Sequence, residues 1–292
     1  MRVRELLKVR GAAPLALILM LLAGGMARAQ NPDTMDPDQS AAKGKQILKQ
    51  LVEALGGPVY LGARSQECEG RRAQFGHNGQ MMGYVDFKDY RVFPDKRRID
   101  YGKKGNIIDM FDGDGGWTLD RGGVSEEPAT SVTDFAESVK RDINNLLRNR
   151  LKEDRILIQY AGTSVVDLRF VDWVEITDAE ERKFRLAVDR SSHLLVRSIV
   201  ITNDETTRER SEDVSVYTNY QPKEGLQLPQ QITREKDGRR VAQTFYDNCH
   251  VNPDLPTDFF TKAALEKRFK EVGGKAAKGF KNSKDAEKPG VD

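Results

Sequence analysis

The residues of this chain whose types could carry a reaction are few: His77, His193 and His250, the cysteines Cys68 and Cys249, and some acidic and basic clusters. His77 lies in Gly76-His77-Asn78-Gly79, which is turn chemistry and needs no further role. His193 closes the run Asp189-Arg190-Ser191-Ser192-His193, where carboxylate, hydroxyl and imidazole crowd together. A nucleophile, its base and the base's orienting group converge through a fold, not along one tight turn, so this run is read as a turn. His250 follows Cys249 with no second His or Cys at ligand spacing, and a transition-metal site is not expected. Asp112-Gly113-Asp114-Gly115-Gly116 resembles the start of a calcium loop, but Gly116 and Gly123 stand where oxygen ligands are required. No phosphate loop, nucleophile elbow or dinucleotide fingerprint occurs. The expectation is no catalytic residue, no metal and no cofactor.

The basic clusters Lys96-Arg97-Arg98 and Arg71-Arg72 read as solvated strand or turn faces, or as a docking patch for an acidic partner or lipid headgroups through Lys96, Arg97 and Arg98. Nucleic acid is not an expected partner. The 292 residues hold 47 Lys and Arg against 45 Asp and Glu, and residues 1–29 account for +4 of that balance, which leaves −2 on the other 263. Too little cationic surplus remains to neutralise many phosphates.

Those first residues read as an export signal: a basic stretch from Arg2 to Arg10, an apolar run from Ala12 to Ala23, and Ala27-Arg28-Ala29 ahead of a cleavage point near Ala29. The run is shorter than the roughly 20 residues of a spanning helix, so an uncleaved anchor is the weaker reading. Export to the periplasm or beyond favours a Cys68–Cys249 disulfide, with two buried free thiols as the alternative. Closing a loop of that length would stabilise the fold by roughly 3 to 5 kcal/mol.

Position requires elements. After a leader over 30–40, Ser40 is expected to cap a helix over 41–55 with Ile47, Leu48, Leu51, Val52 and Leu55 on one face, stopped by Gly56-Gly57. Twelve strands are read near 65–75, 81–93, 96–102, 106–112, 116–121, 156–161, 164–177, 182–189, 193–203, 207–220, 225–236 and 239–251, each junction carrying Gly, Asn, Asp or Ser. Helices are expected over 132–147 and 257–269, and a disordered tail over 271–292. The alternation suggests one sheet with a wet face and a dry face, and a sheet of that width must curl.

The order of these pieces resembles a known family. Glu53-Ala54-Leu55-Gly56-Gly57, the strand through Tyr90-Arg91-Val92-Phe93-Pro94-Asp95, and Met110-Phe111-Asp112-Gly113-Asp114-Gly115-Gly116-Trp117 come first. Phe184 to Asp189, Gly225-Leu226-Gln227-Leu228-Pro229 and Val251-Asn252-Pro253-Asp254-Leu255 follow. The progression is similar to the outer-membrane lipoprotein-sorting carriers, LolA-like and LolB-like, over most of residues 41 to 262. The resemblance implies an α+β fold: a large curved antiparallel sheet of about 11 or 12 strands, an unclosed half-barrel covered by two or three helices, forming a single domain over 41–270.

It further implies a cavity that shields acyl chains from water; with the sparse catalytic inventory, the expectation is a non-enzymatic carrier of lipid or lipoprotein acyl chains, monomeric and partnered by a membrane-associated donor or acceptor protein. Burying about 0.8 kcal/mol per CH₂ makes an apolar trough sufficient for capture without catalysis. Residues expected to line the trough are Val85, Phe87, Phe93, Ile99, Ile108, Met110, Trp117, Phe184, Leu186 and Val188. The alternative is an envelope sensor or scaffold of the same fold that binds a protein partner.

Overall fold

The computed structural model describes residues 35–203 and 209–271. The export signal, most of the leader and the tail beyond Glu271 lie outside the described residues.

Helix α1 (Pro37–Leu55) starts earlier than the sequence suggested, because Asp36 and not Ser40 is its cap. Asp36 Oδ1 accepts from the backbone N–H groups of Asp38 (3.0 Å) and Gln39 (3.4 Å), and Pro37 supplies a preset first turn. Ser40 instead sits buried inside the helix, its hydroxyl accepting the Tyr160 N–H at 3.0 Å. Gly44 lets the helix lie close to the sheet, since a Cβ there would stand 3.0 Å from the Ile158 side chain and 3.2 Å from backbone. A short helix α2 (Pro58–Gly62) follows.

Thirteen antiparallel strands then form one unclosed sheet: β1 (Ser65–Phe75), β2 (Met81–Val92), β3 (Lys96–Tyr101), β4 (Ile107–Asp112), β5 (Gly116–Asp120), β6 (Gly123–Glu126), β7 (Leu157–Val166), β8 (Arg169–Thr177), β9 (Lys183–Asp189), β10 (Leu195–Asn203), β11 (Arg210–Lys223), β12 (Leu226–Lys236) and β13 (Arg239–Val251). Two differences from the sequence reading have simple causes. The four residues of β6 are too short to show a period. The expected strand over 164–177 contains a hairpin turn: residues 164–166 finish β7, and Asp167 and Leu168, both at positive φ (49° and 64°), turn the chain into β8 with no glycine to announce it.

The strand order is β6-β5-β4-β3-β2-β1-β13-β12-β11-β10-β9-β8-β7. The chain therefore enters mid-sheet at β1, runs out to one edge at β6, crosses to the far edge at β7, and returns strand by strand until β13 pairs with β1. The crossover carries α3 (Ala129–Arg141) and α4 (Ile143–Arg148), which the sequence read as one helix. Asp142 breaks them: its backbone is extended (φ −69°, ψ 126°) and its carboxylate accepts the Asn145 N–H at 2.9 Å, starting α4. Residues 262–271 form the last described helix, α5.

At the seam Cys68 lies directly opposite Cys249, and the two form a disulfide. Gly70 marks a bulge beside it; a Cβ at Gly70 would meet the Phe245 carbonyl oxygen at 2.0 Å.

The sheet does not have one dry face. Across β7 to β12 the dry side is the inner one: Ile158, Val174, Ile176, Phe184, Leu186 and Val188 are buried under Leu48, Leu51 and Leu55 of α1 and Leu146 and Leu147 of α4. Across β4 and β5 the dry side is the outer one, where Ile108, Met110 and Leu119 are buried beneath Phe260 and Leu265. The register follows: Asp89, Ile99 and Asp109 are cross-strand neighbours on the inner side, while Tyr90, Arg98, Met110 and Trp117 share the outer side.

Candidate ligand cavity

Where the apolar inner face of β7 to β12 meets the polar inner face of β1 to β3, the covering helices do not reach the sheet. A cavity of about 120 Å³ remains there. Its floor is the disulfide with Tyr246, Ile232 and Tyr217 of the sheet, and its roof is Leu55, Tyr60, Ile143 and Leu147 of the helices. One side is thus greasy. The other is ionic.

The ionic side is organised by Asp89, whose side chain is 2% exposed. Its Oδ2 accepts from Arg91 Nε (3.1 Å), Arg91 Nη2 (2.9 Å) and Arg97 Nη2 (2.8 Å), and its Oδ1 from Arg97 Nε (2.9 Å). Burial works to raise the Asp89 pKa, but the charges and hydrogen bonds of Arg91 and Arg97 outweigh it and hold the carboxyl well below the ordinary range. Arg91 in turn reaches Asp142 at the α3–α4 break (3.7 Å), tying crossover to sheet.

Arg148 of α4 lies over two rings, Tyr60 at 4.4 Å and Phe93 at 4.1 Å, and donates from Nη1 to the Ala63 carbonyl at 3.2 Å. Its buried Nε has no hydrogen-bond partner. Burial pushes the Tyr60 hydroxyl well above its usual pKa, with the Arg148 charge opposing. Tyr60 donates to Asn144 Oδ1 at 3.1 Å, and Tyr220 to the Leu195 carbonyl at 2.9 Å, so these hydroxyls are already engaged.

None of the ten residues expected to line an apolar trough lines this cavity. Phe184, Leu186 and Val188 are sealed under α1, each no more than 1% exposed. Ile108, Met110 and Trp117 belong to the core on the opposite face. Phe87 is buried edge-on against Tyr246 (5.8 Å between ring centres), Ile99 is buried opposite Asp89, and Val85 is half-buried. Phe93 lies beneath Arg148 and borders a smaller adjoining cavity of about 50 Å³ with Lys96 and Arg97.

The basic docking patch is likewise dispersed. Arg97 is spent on Asp89, and Arg98 is 6% exposed on the outer face, bonded to Asp100 (2.7 and 3.0 Å) and stacked on Phe259. Only Lys96 is left without such a tie, and it is half-buried. The Asp189 run is a turn: Oδ1 accepts from the N–H and hydroxyl groups of Ser191 and Ser192 at 2.6 to 3.0 Å. Asp112 to Gly116 is also a turn, and no cluster of three potential metal ligands occurs among the described residues.

Sequence reasoning missed Asp89, Arg91, Asp142, Arg148, Tyr217 and Arg234. Asp89 and Arg91 did leave a signal, two charges interrupting the register of Val85, Phe87 and Phe93. Asp142, Arg148 and Arg234 left none, since nothing local distinguishes them from surface residues.

No protein-family model and no curated protein sequence matches the chain. Solved structures do. A LolA superfamily protein from Nitrosomonas europaea superposes with a TM-score of 0.51 at 14% identity, covering 77% of this chain and 99% of its own. A DUF1329 family protein from Desulfovibrio piger gives 0.55 at 13% identity, covering 79% and 100%. The fold is LolA-like. At these identities the likeness fixes architecture: an unclosed antiparallel half-barrel with helices on its inner side. Chemistry has to be argued from the cavity itself.

Proposed function

We propose that this chain is an exported, non-enzymatic, monomeric carrier that shelters the acyl part of a lipid or lipoprotein between α1, α4 and the sheet seam. It would act in the periplasm or beyond, handing cargo between membrane-associated donor and acceptor proteins. The observation that carries the reading is the half-greasy cavity beneath a weakly seated crossover. Helix α3 buries none of its residues. It is held by a Phe111–Phe135 stack (4.5 Å) and by ion pairs such as Arg182–Glu137 and Lys140–Glu180 at its rim. Partly exposed pairs of that kind are worth about 1 kcal/mol or less each. At about 120 Å³ the cavity admits only part of a long acyl chain, so full accommodation of cargo requires its roof of α2 and α4 to move, and the loosely held α3 next to α4 leaves the crossover free to do so.

The test is native mass spectrometry of gently purified protein, together with fluorescence of the neutral amphiphile N-phenyl-1-naphthylamine. A bound lipid, and displacement of the probe by long-chain amphiphiles at micromolar concentration, are expected. Leu147→Trp, which fills the roof, should weaken the probe about tenfold or more. Absence of lipid and of probe binding at tens of micromolar would remove the carrier reading. For the sensor or scaffold alternative, two of its three docking residues, Arg97 and Arg98, are turned to internal partners, and Lys96 alone is left to carry that reading.

A further inference from the structure

The guanidinium groups around the seam outnumber the carboxylates available to them. Arg91 and Arg97 share the carboxylate of Asp89, and Arg91 also reaches Asp142 at 3.7 Å, so two carboxylates face the guanidiniums of Arg72, Arg91, Arg97, Arg148 and Arg234. Arg148 forms no ion pair among the described residues; it is held by two aromatic rings and a backbone carbonyl, with Nε buried and unbonded. Arg234 lines the same cavity and also has no ion pair among the described residues. Arg72, on the next strand but one, donates to the Thr244 hydroxyl at 3.3 Å and lies over the Phe87 ring at 5.6 Å, with no ion pair among the described residues. Its pKa is lowered first by burial and then by the charges of Arg97 and Arg234.

Unpaired charge is costly where water is partly excluded and no counter-charge replaces it, as at the buried Nε of Arg148; Arg234 is the exposed member of the set, at the cavity's rim. The arrangement becomes favourable when an anion completes it. The planar donor fork of arginine fits the two oxygens of a carboxylate or phosphate. Directly beside these forks lie Leu55, Ile143, Leu147 and Leu228, which suit the other end of an amphiphile.

We propose that the seam cavity selects anionic amphiphiles, its oxyanion site being formed by Arg148 and Arg234 at the border with the apolar roof. This rests on the carrier reading and adds a headgroup preference to it. The same oxyanion chemistry could belong to a fatty acid or to a lipid phosphate, and the experiment separates the two.

Displacement of N-phenyl-1-naphthylamine is measured with four competitors of matched chain length: a fatty acid, a lysophosphatidic acid, the fatty alcohol and a lysophosphatidylcholine. The acid or the lysophosphatidic acid should compete at least tenfold better than the alcohol and the zwitterion, and whichever leads identifies the source. That ratio should shrink toward one as salt is raised. It should shrink likewise in Arg234→Gln, a side chain exposed enough to change without disturbing the fold, and in Arg148→Gln. Equal competition by charged and neutral amphiphiles in the wild-type chain, or a ratio unmoved in both variants, would overturn the inference and leave the carrier standing. Failure of every competitor and of the probe would overturn the carrier reading itself.

Discussion

The two halves of the sheet solve the burial problem in opposite ways. From β7 to β12 the inner face is apolar and α1 and α4 lie directly upon it, so that Val174, Ile176, Phe184 and Leu186 are inaccessible to solvent. In β4 and β5 the apolar residues Ile108, Met110 and Leu119 point outward and are covered by the segment that returns after β13, with Phe260 and Leu265 at its centre. The inner face of this half carries Asp89, Arg91, Arg97 and Asp109 among the apolar Phe87, Ile99 and Phe111. The cavity lies where the two regimes meet. A surface that is oily on one side and ionic on the other is what a change of dry face across a continuous sheet produces, with no specialised loop or inserted element.

The largest test of this contrast is Asp89→Asn. It leaves the half-buried guanidiniums of Arg91 and Arg97 facing a neutral amide at a buried site, and breaking such a network costs about 3 to 5 kcal/mol. Urea unfolding should show that loss, and adding Arg97→Gln should recover part of it. A change below about 1 kcal/mol would mean that the ionic half is solvated rather than structural.

Next comes the pair Leu51→Ala and Leu265→Ala. Each removes a fully buried leucine and should cost about 2 to 5 kcal/mol. The two should differ in place: amide exchange should quicken first in β7 to β9 for Leu51→Ala and first in β4 and β5 for Leu265→Ala. Identical exchange patterns would contradict two separate cores.

The smallest effect is acid sensitivity. Asp89 is held well below the ordinary carboxylate range, and Asp189 is brought to about 2, where burial tends to raise it and the Ser191 and Ser192 bonds prevail. Both folded values are depressed. Their stabilisation is therefore full above the unfolded value of about 4 and is lost as pH falls from there toward 2 and below. Asp189→Ala should flatten the acid limb slightly and Asp89→Asn more strongly, read from thermal melts between neutral pH and pH 2.

How far the sequence reached follows from what alternation encodes. A period of two says which residues of one strand share a face, and adjacent turns fix which strands are neighbours. That was enough for an antiparallel meander and for most strand boundaries within a few residues, while the open half-barrel came from the family resemblance and the partner of Cys68 from the export signal and the even cysteine count. It does not say on which side of the sheet a face lies. Ile108, Met110 and Trp117 alternate as cleanly as Phe184, Leu186 and Val188, so the two groups were pooled as one lining, although the sheet separates them. What decides the side is the C-terminal segment around Phe259 and Phe260, more than 140 residues downstream of Trp117. The cavity was illegible for a related reason: Asp142, Arg148 and Arg234 become neighbours of Asp89 only through the crossover and the seam.

That seam has a consequence for how the molecule is made. The middle of the sheet is assembled from the strand that leaves the ribosome first and the strand that leaves it last, Ser65–Phe75 and Arg239–Val251. For the whole of synthesis β1 carries a bare edge toward a partner that does not yet exist, and contacts of such sequence span are slow to form. A nascent half ending at β6 is thus an adhesive surface in waiting. Any factor that escorts the chain before completion should be found on that unpaired edge, and should fall away when the final strand docks.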